Sequence, residues 1–186
     1  DADSKSLPLT HMKLADMRLI ANNVSPDDVI TLCGELGDPM MHPDIEEIVD
    51  LFTTRGCYVL IHTNGGIRQP EFYKKMASNY RLGISFGIDG MDSDTNSRYR
   101  IGVDFSKAWK NMTTWFQECS RLGRVMNRSG EWSFLVFEWN KDQIQGVYNY
   151  CKTRNIPASI KINRRPYGYV GDQEYQKLKD LINGLS

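Results

Sequence analysis

Short β-rich runs alternate with amphipathic helical stretches along the chain from about residue 29 onward. This alternation is typical of an α/β protein whose strands form a parallel sheet and are each followed by a helix. We therefore predict five parallel strands in sequential order, with the helices on the outer face. The predicted strands cover 29–33, 57–61, 82–88, 132–139 and 158–162.

The helices between the strands are predicted from apolar side chains that recur every three or four residues. They are expected to begin near Pro43, Pro70, Phe105 and Asn140, and a last one covers 172–185. Asn140 is predicted to cap its helix, because asparagine is a favoured residue at that position. The strand at 132–139 is almost continuously apolar, which predicts a strand covered on both faces. The polar segment 89–104 is predicted as a long loop.

The first 28 residues contain a helical pattern, carried by Leu14, Met17 and Ala21, with no strand before it. Because a helix should follow a strand in such a series, the chain is expected to begin one strand late. The Val29 strand would then have an unpaired edge, which an N-terminal segment, a partner or a second copy of the chain is expected to cover. The single predicted domain comprises a helical segment at 1–28, strand–helix repeats at 29–165 and a C-terminal helix at 166–186.

Composition and charge restrict the classes of function. The 186 residues include 23 Lys and Arg against 23 Asp and Glu, so the formal net charge is zero. No global field therefore attracts nucleic acid or an anionic membrane. The apolar runs are far shorter than the roughly 20 residues that span a bilayer, and no secretory signal pattern opens the chain. We expect a cytoplasmic protein whose partners are a small-molecule cofactor and a substrate.

The four cysteines are widely spread and form no CxxC or CxxxC pair. This spacing argues against a zinc ribbon or a local cluster loop, and it favours reduced, mostly buried thiols. The cysteines are Cys33, Cys57, Cys119 and Cys151.

Polar, glycine-rich segments follow the predicted strands, and in parallel strand–helix folds ligands bind at the carboxyl ends of the strands. Asp92 and Asp94 imitate the start of a calcium loop, but Ser97 stands where glycine is needed. Neither GxGxxG nor GxxxxGK[ST] is present, so a Rossmann or P-loop site lacks its glycines. A Mg²⁺ site at Asp38, Asp89 and Asp92 would lack a basic phosphate clamp.

Five of these segments resemble, in order and spacing, segments of the radical S-adenosylmethionine enzymes. Residues 37–45, Gly-Asp-Pro-Met-Met-His-Pro-Asp-Ile, resemble the Gly-Glu-Pro-Leu-Leu-His-Pro-Asp-Ile that follows the second strand in that superfamily. Residues 63–65 resemble its Thr-Asn-Gly strand ending, and 84–90 its Ser-x-Asp-Gly strand ending. Residues 100–105 are similar to its Arg-x-Gly segment, and 140–142 to its polar turn after the fifth strand.

The resemblance implies a partial, TIM-like (βα) barrel that lacks its first strand and binds S-adenosylmethionine across the strand ends. It also implies that Gly37 and Asp38 accept hydrogen bonds from the amino group of the methionine moiety, and that Arg100 pairs with the methionine carboxylate. The remaining implied cofactor-binding residues are Thr63, Asn64 and Ser85, in the ribose and methionine region, and Asp89 beside them. The chain departs from the pattern at Leu36, where a glycine is usual, and at Asp38, which replaces a glutamate.

The largest departure is the absence of the CxxxCxxC segment that ligates a [4Fe–4S] cluster in this superfamily. We therefore expect a truncated piece of a radical S-adenosylmethionine enzyme, inactive without an upstream cluster loop and with no metal ligands of its own. The alternative is a cluster-less module that binds S-adenosylmethionine or a partner without catalysis. A third reading is a flavodoxin-like domain that binds a phosphorylated ligand, and its doubly wound strand order would distinguish it.

Overall fold

The computed structural model describes residues 10–34 and 37–185. One parallel sheet has the strand order β1-β2-β3-β4-β5. Its strands are β1 (Val29–Leu32), β2 (Tyr58–Thr63), β3 (Leu82–Gly87), β4 (Gly130–Val136) and β5 (Ala158–Ile162). The helices are α1 (Leu14–Ala21), α2 (Ile45–Thr53), α3 (Pro70–Met76), α4 (Ser93–Ser97), α5 (Phe105–Arg121), α6 (Ile144–Arg154) and α7 (Asp172–Leu185). Short 3-10 turns cover Pro39–Met41, Met126–Arg128 and Lys141–Gln143.

Each strand pairs in parallel with the next strand along the chain, as predicted. The connection from one parallel strand to the next is almost always right-handed. Because the strands follow one another in sequence order, successive helices therefore lie on the same face of the sheet. That sequential order is the arrangement of a βα barrel and excludes the doubly wound order of a flavodoxin-like domain.

The two faces of the sheet differ in character. On β4 the side chains of Trp132, Phe134 and Val136 are fully buried on the helix-covered outer face. Glu131 and Ser133 alternate with them and are only half-buried. We call the side that they face the inner face. The prediction of a strand covered on both faces is therefore wrong, and the inner face is polar and open enough to take a ligand.

The strand predicted at 132–139 ends at Val136 because the chain turns there. The side-chain oxygen of Asn140 accepts a hydrogen bond from the Phe137 N–H at 2.6 Å. Its amide nitrogen donates to the Leu135 carbonyl oxygen at 3.0 Å. Asn140 thus binds the end of the strand and makes no side-chain capping bond to the helical turn that follows, contrary to the prediction.

The segment 89–104, predicted as a loop, contains the short helix α4. The Asp92 carboxylate caps this helix by accepting hydrogen bonds from the backbone N–H and the hydroxyl of Thr95, at 2.7 and 3.0 Å. An aspartate at the N-cap satisfies a backbone donor that the first turn of a helix leaves free. Asp92, the first residue of the calcium-like pattern, therefore caps a helix here.

Strand β1 lies at an edge of the sheet, and within the described residues it pairs with β2 alone. Val29 is 63 % exposed there. The helical pattern before β1 forms α1 as predicted, and an exposed ion pair joins Arg18 of α1 to Glu47 of α2. Among residues 10–34 and 37–185, no helix is both long and apolar enough to cross a membrane.

Candidate functional site

A cleft of about 180 Å³ opens on the inner face, where the strands end. Six of the seven predicted cofactor-binding residues lie on its wall, and the seventh, Asp89, is buried beside Arg100. The departure at Leu36 lies outside the described residues. The cleft is lined by Cys33, Gly34, Gly37, Asp38, His62, Thr63, Asn64, Ser85, Gly87, Arg100 and Ser133.

Asp38 ties the loop after β1 to the end of β2. One carboxylate oxygen, Oδ1, accepts a hydrogen bond from the Met40 N–H at 2.9 Å. The other, Oδ2, accepts from the Thr63 hydroxyl and from the Asn64 N–H, both at 2.8 Å. Because a carboxylate offers about four acceptor positions, these three bonds leave room for one further donor. Asp38 therefore positions its loop first, and it has one acceptor position to offer to a ligand.

The turn after β2 is held by side-chain hydrogen bonds of Thr63, the last residue of β2, and of Asn64, which follows it. The Thr63 hydroxyl oxygen accepts from the Gly65 N–H at 3.1 Å, and the Asn64 side-chain oxygen accepts from the Gly66 N–H at 2.8 Å. The Asn64 amide nitrogen makes no hydrogen bond to the described residues. Asn64 thus faces the cleft with a free donor, whereas Thr63 already uses its hydroxyl as both donor and acceptor.

Arg100 is held by a buried carboxylate. Its Nε donates to Asp89 Oδ2 at 2.7 Å, and the side chains are 30 % and 1 % exposed respectively. The Leu135 N–H donates to the other Asp89 oxygen, also at 2.7 Å. Burial raises the pKa of Asp89, while the neighbouring Arg100 guanidinium and the Leu135 hydrogen bond oppose that shift. Of the Arg100 nitrogens only Nε donates to Asp89, so the pair holds Arg100 at the cleft and leaves its terminal nitrogens as donors for a ligand.

Those terminal nitrogens lie over Gly87, the last residue of β3. A Cβ atom at position 87 would lie 2.6 Å from Arg100 Nη2, so a larger side chain would displace the guanidinium. Glycine at this position thus leaves room for Arg100 on the cleft wall.

Two asparagines that the sequence did not single out for the site organise the strand ends around Asp89. The buried Asn96 accepts a hydrogen bond from the Asp89 N–H at 2.9 Å. Asn140 donates to the Asp89 carbonyl oxygen at 2.9 Å. A third asparagine, Asn111, lies on the apolar face of α5 and donates to the Gly65 carbonyl oxygen at 2.7 Å. A polar residue inside an apolar helix stripe is the signal that could have identified Asn111.

Ser85 lies on the inner face near the middle of the sheet. It is almost fully buried, and its hydroxyl donates to Glu131 Oε1 at 3.3 Å. Ser85 pairs with His62 on β2 and with Glu131 on β4, so these three side chains form a row across the sheet. Glu131 was not among the predicted site residues, because it opens an otherwise apolar strand.

The four thiols do not converge. Cys33 is exposed at the cleft, whereas Cys57, Cys119 and Cys151 are buried. Burial raises the pKa of Cys119, and it raises the pKa of Cys151 to about 12. No group of three or more His, Cys, Asp or Glu side chains in the described part of the chain could hold a metal ion. The residues described here therefore do not fit a [4Fe–4S] cluster, which needs several thiolates at one point.

No protein-family model matches the chain. The AdoMet-dependent heme synthase of Methanosarcina barkeri is 27 % identical over 101 residues, which are 53 % of this chain and 28 % of that protein. AdoMet is S-adenosylmethionine.

Among solved structures, native anSMEcpe with bound AdoMet and a peptide has a TM-score of 0.69 at 14 % identity. The match covers 95 % of this chain and 55 % of that one. Streptococcus suis SuiB bound to S-adenosylmethionine has a TM-score of 0.68 at 14 % identity, over 84 % of this chain and 34 % of that one.

The chain thus spans between 28 % and 55 % of the length of these proteins. These matches confirm the resemblance to the radical S-adenosylmethionine enzymes, and the chain has the partial βα-barrel fold of that superfamily.

Proposed function

We propose that the cleft binds S-adenosylmethionine and that this chain is the barrel portion of a radical S-adenosylmethionine enzyme. The observation that carries the proposal is the presence of Asp38 and Arg100 on the walls of one cleft at the strand ends. The methionine moiety of the ligand carries an ammonium and a carboxylate on the same carbon. A carboxylate with a remaining acceptor position and a guanidinium with free donors match those two charges.

In the proposed complex each predicted residue has a distinct role. The Gly37 carbonyl and the Asp38 carboxylate accept hydrogen bonds from the ammonium, and the terminal nitrogens of Arg100 donate to the ligand carboxylate. Asn64 and Ser85 line the ribose and methionine region, while Thr63 and Asp89 position Asp38 and Arg100. When bound, S-adenosylmethionine supplies the 5′-deoxyadenosyl group for radical chemistry. The thiolates for the cluster are proposed to come from a CxxxCxxC segment outside these 186 residues.

The Arg100→Lys variant tests the binding site by calorimetric titration with S-adenosylmethionine. Lysine keeps a positive charge beside Asp89 but loses the planar fork of donors, so we expect an affinity at least tenfold lower, or about 1.4 kcal/mol. Arg121→Lys is the matched control, because the Arg121 side chain is exposed on α5, pairs with Glu118 and does not line the cleft. Equal affinities of wild type and Arg100→Lys, or no binding by the wild type at millimolar ligand, would contradict the proposal.

A second candidate function is a cluster-less module that binds S-adenosylmethionine or a partner. The scattered thiols favour it for the chain taken alone. Both candidates predict that anaerobic reconstitution of the 186 residues with iron and sulfide gives no stoichiometric cluster, and no 5′-deoxyadenosine when dithionite is added. They differ when a strand bearing CxxxCxxC is placed before residue 1, because only the enzyme should then yield both products. A brown, active protein from this chain alone would refute both.

A further inference from the structure

The side chain of Arg68, in the loop between β2 and α3, joins that loop to the one that follows β1. Its Nε donates to the Met40 carbonyl oxygen at 2.8 Å, and its Nη2 donates to the His42 carbonyl oxygen at 2.5 Å. The guanidinium carbon lies 5.2 Å from the centre of the Phe72 ring on α3. Among residues 10–34 and 37–185, no ion pair includes Arg68. The guanidinium therefore holds backbone of the loop after β1.

The backbone of Met40 connects this guanidinium to the proposed ligand site. Its N–H donates to Asp38 Oδ1 at 2.9 Å, and its carbonyl oxygen accepts from Arg68. The Met41 N–H donates to the Asp38 carbonyl oxygen at 2.9 Å and closes the short turn between them. Asp38 and Arg68 thus hold the same turn from two sides, so a shift of the guanidinium would also shift the Asp38 carboxylate.

The backbone of Arg68 is strained and tightly held. Its φ is +60°, in the left-handed region that residues other than glycine rarely adopt. Such a conformation persists where the surrounding contacts determine it. The buried Asn111 of α5 supplies two of them, because its amide nitrogen donates to the carbonyl oxygens of Gly65 and Ile67 at 2.7 and 3.2 Å. Glycine or asparagine would adopt this φ more easily, so the arginine side chain is what the position provides.

We propose that Arg68 is a positioning residue of the ammonium-binding site. Through Met40 it holds the turn after β1 where the Gly37 carbonyl and the Asp38 carboxylate meet the ammonium of the ligand, so the inference rests on the proposed function. Arg68 does not line the cleft, and it therefore acts on the ligand through the turn. A planar guanidinium that donates to two carbonyl oxygens fixes the turn in distance and direction, which the single ammonium of a lysine does not.

Calorimetric titration with S-adenosylmethionine compares Arg68→Lys with Arg124→Lys. Arg124 is the matched control, because its guanidinium also donates to two backbone carbonyl oxygens, those of Ala77 and Leu82, at 2.9 and 2.5 Å. These bonds lie at the amino end of β3, away from the cleft, and Arg124 is only 6 % exposed. We expect Arg68→Lys to lower the affinity roughly fivefold and Arg124→Lys to leave it unchanged, although the second variant loses at least as much stability.

The same titration in an Asp38→Ala background separates positioning from a general loss of stability. If Arg68 acts through Asp38, the two residues are coupled, and Arg68→Lys should leave the remaining affinity of Asp38→Ala unchanged. An equal fold-loss in both backgrounds would show that Arg68 supports the fold as a whole, and it would overturn the inference.

Hydrogen exchange of the Met40 amide, measured relative to that of Ile61 in β2, tests the turn without a ligand. Arg68→Lys should speed this relative exchange roughly tenfold by local opening, and Arg124→Lys should not change it. The inference fails if Arg68→Lys leaves the relative exchange unchanged. Binding of S-adenosylmethionine by the wild type that Arg68→Lys does not weaken would refute the inference alone, whereas no binding by the wild type would refute the proposed function itself.

Discussion

Replacement of Asp89 by alanine is expected to lower the free energy of unfolding by about 3 kcal/mol and to abolish measurable binding of S-adenosylmethionine. The substitution removes the acceptor for Arg100 Nε and the acceptor for the Leu135 N–H, and both bonds are 2.7 Å long. The Leu135 N–H would be left without a partner, and the guanidinium would no longer be held over Gly87. Urea-induced unfolding and calorimetric titration measure the two effects.

Asp92→Ala is the matched control for this prediction. Asp92 lies three residues away and caps α4 at an exposed position, so its loss should cost only about 1 kcal/mol. A loss of stability in Asp89→Ala no larger than in Asp92→Ala would show that the buried pair does not organise the strand ends.

Asp38→Ala should have the second-largest effect, because three hydrogen bonds converge on that carboxylate. We expect a loss of about 2 kcal/mol in unfolding free energy, the scale of hydrogen bonds to a charged group. Affinity for S-adenosylmethionine should fall at least tenfold, since both the proposed contact and the loop position are lost.

Thr63→Val tests the role of Asp38 as an anchor of its loop separately from its proposed contact with the ligand. Valine keeps the shape of threonine but removes one donor to Asp38 and one acceptor for Gly65. We expect it to cost about 1 kcal/mol in stability and to weaken ligand binding less than Asp38→Ala does. Full retention of stability in both variants would refute the anchoring role, and full retention of affinity in Asp38→Ala would remove Asp38 from the site.

The strand order and the helix faces could be predicted from the sequence, because they depend on local periodicity and on general rules of chain connection. The stripe of Ile45, Ile48, Val49 and Phe52 is buried on α2 as its spacing indicates. Strand ends were less predictable. Asn140 ends β4 through hydrogen bonds to residues three and five positions earlier. The hydrophobic pattern does not indicate those bonds.

The sequence also predicted that the site residues lie close together, because the carboxyl ends of neighbouring parallel strands meet at one edge. It did not predict which of these residues contact one another. The Asp89–Arg100 pair depends on how α4 returns the chain to the strand ends, and the use of Asp38 as a loop anchor depends on the path after β1. Glu131 was not predicted as a residue of the inner face, because a single charged residue at the start of an apolar strand resembles a solvent-exposed strand end.

The proposed binding of S-adenosylmethionine in the strand-end cleft is tested most directly by a crystal structure of this chain with the ligand soaked in. The account predicts density for the methionine moiety in the cleft, with its amino group at Asp38 and its carboxylate at the terminal nitrogens of Arg100. Ligand density in the groove between α6, β5 and α7 instead, with an empty strand-end cleft, would contradict it.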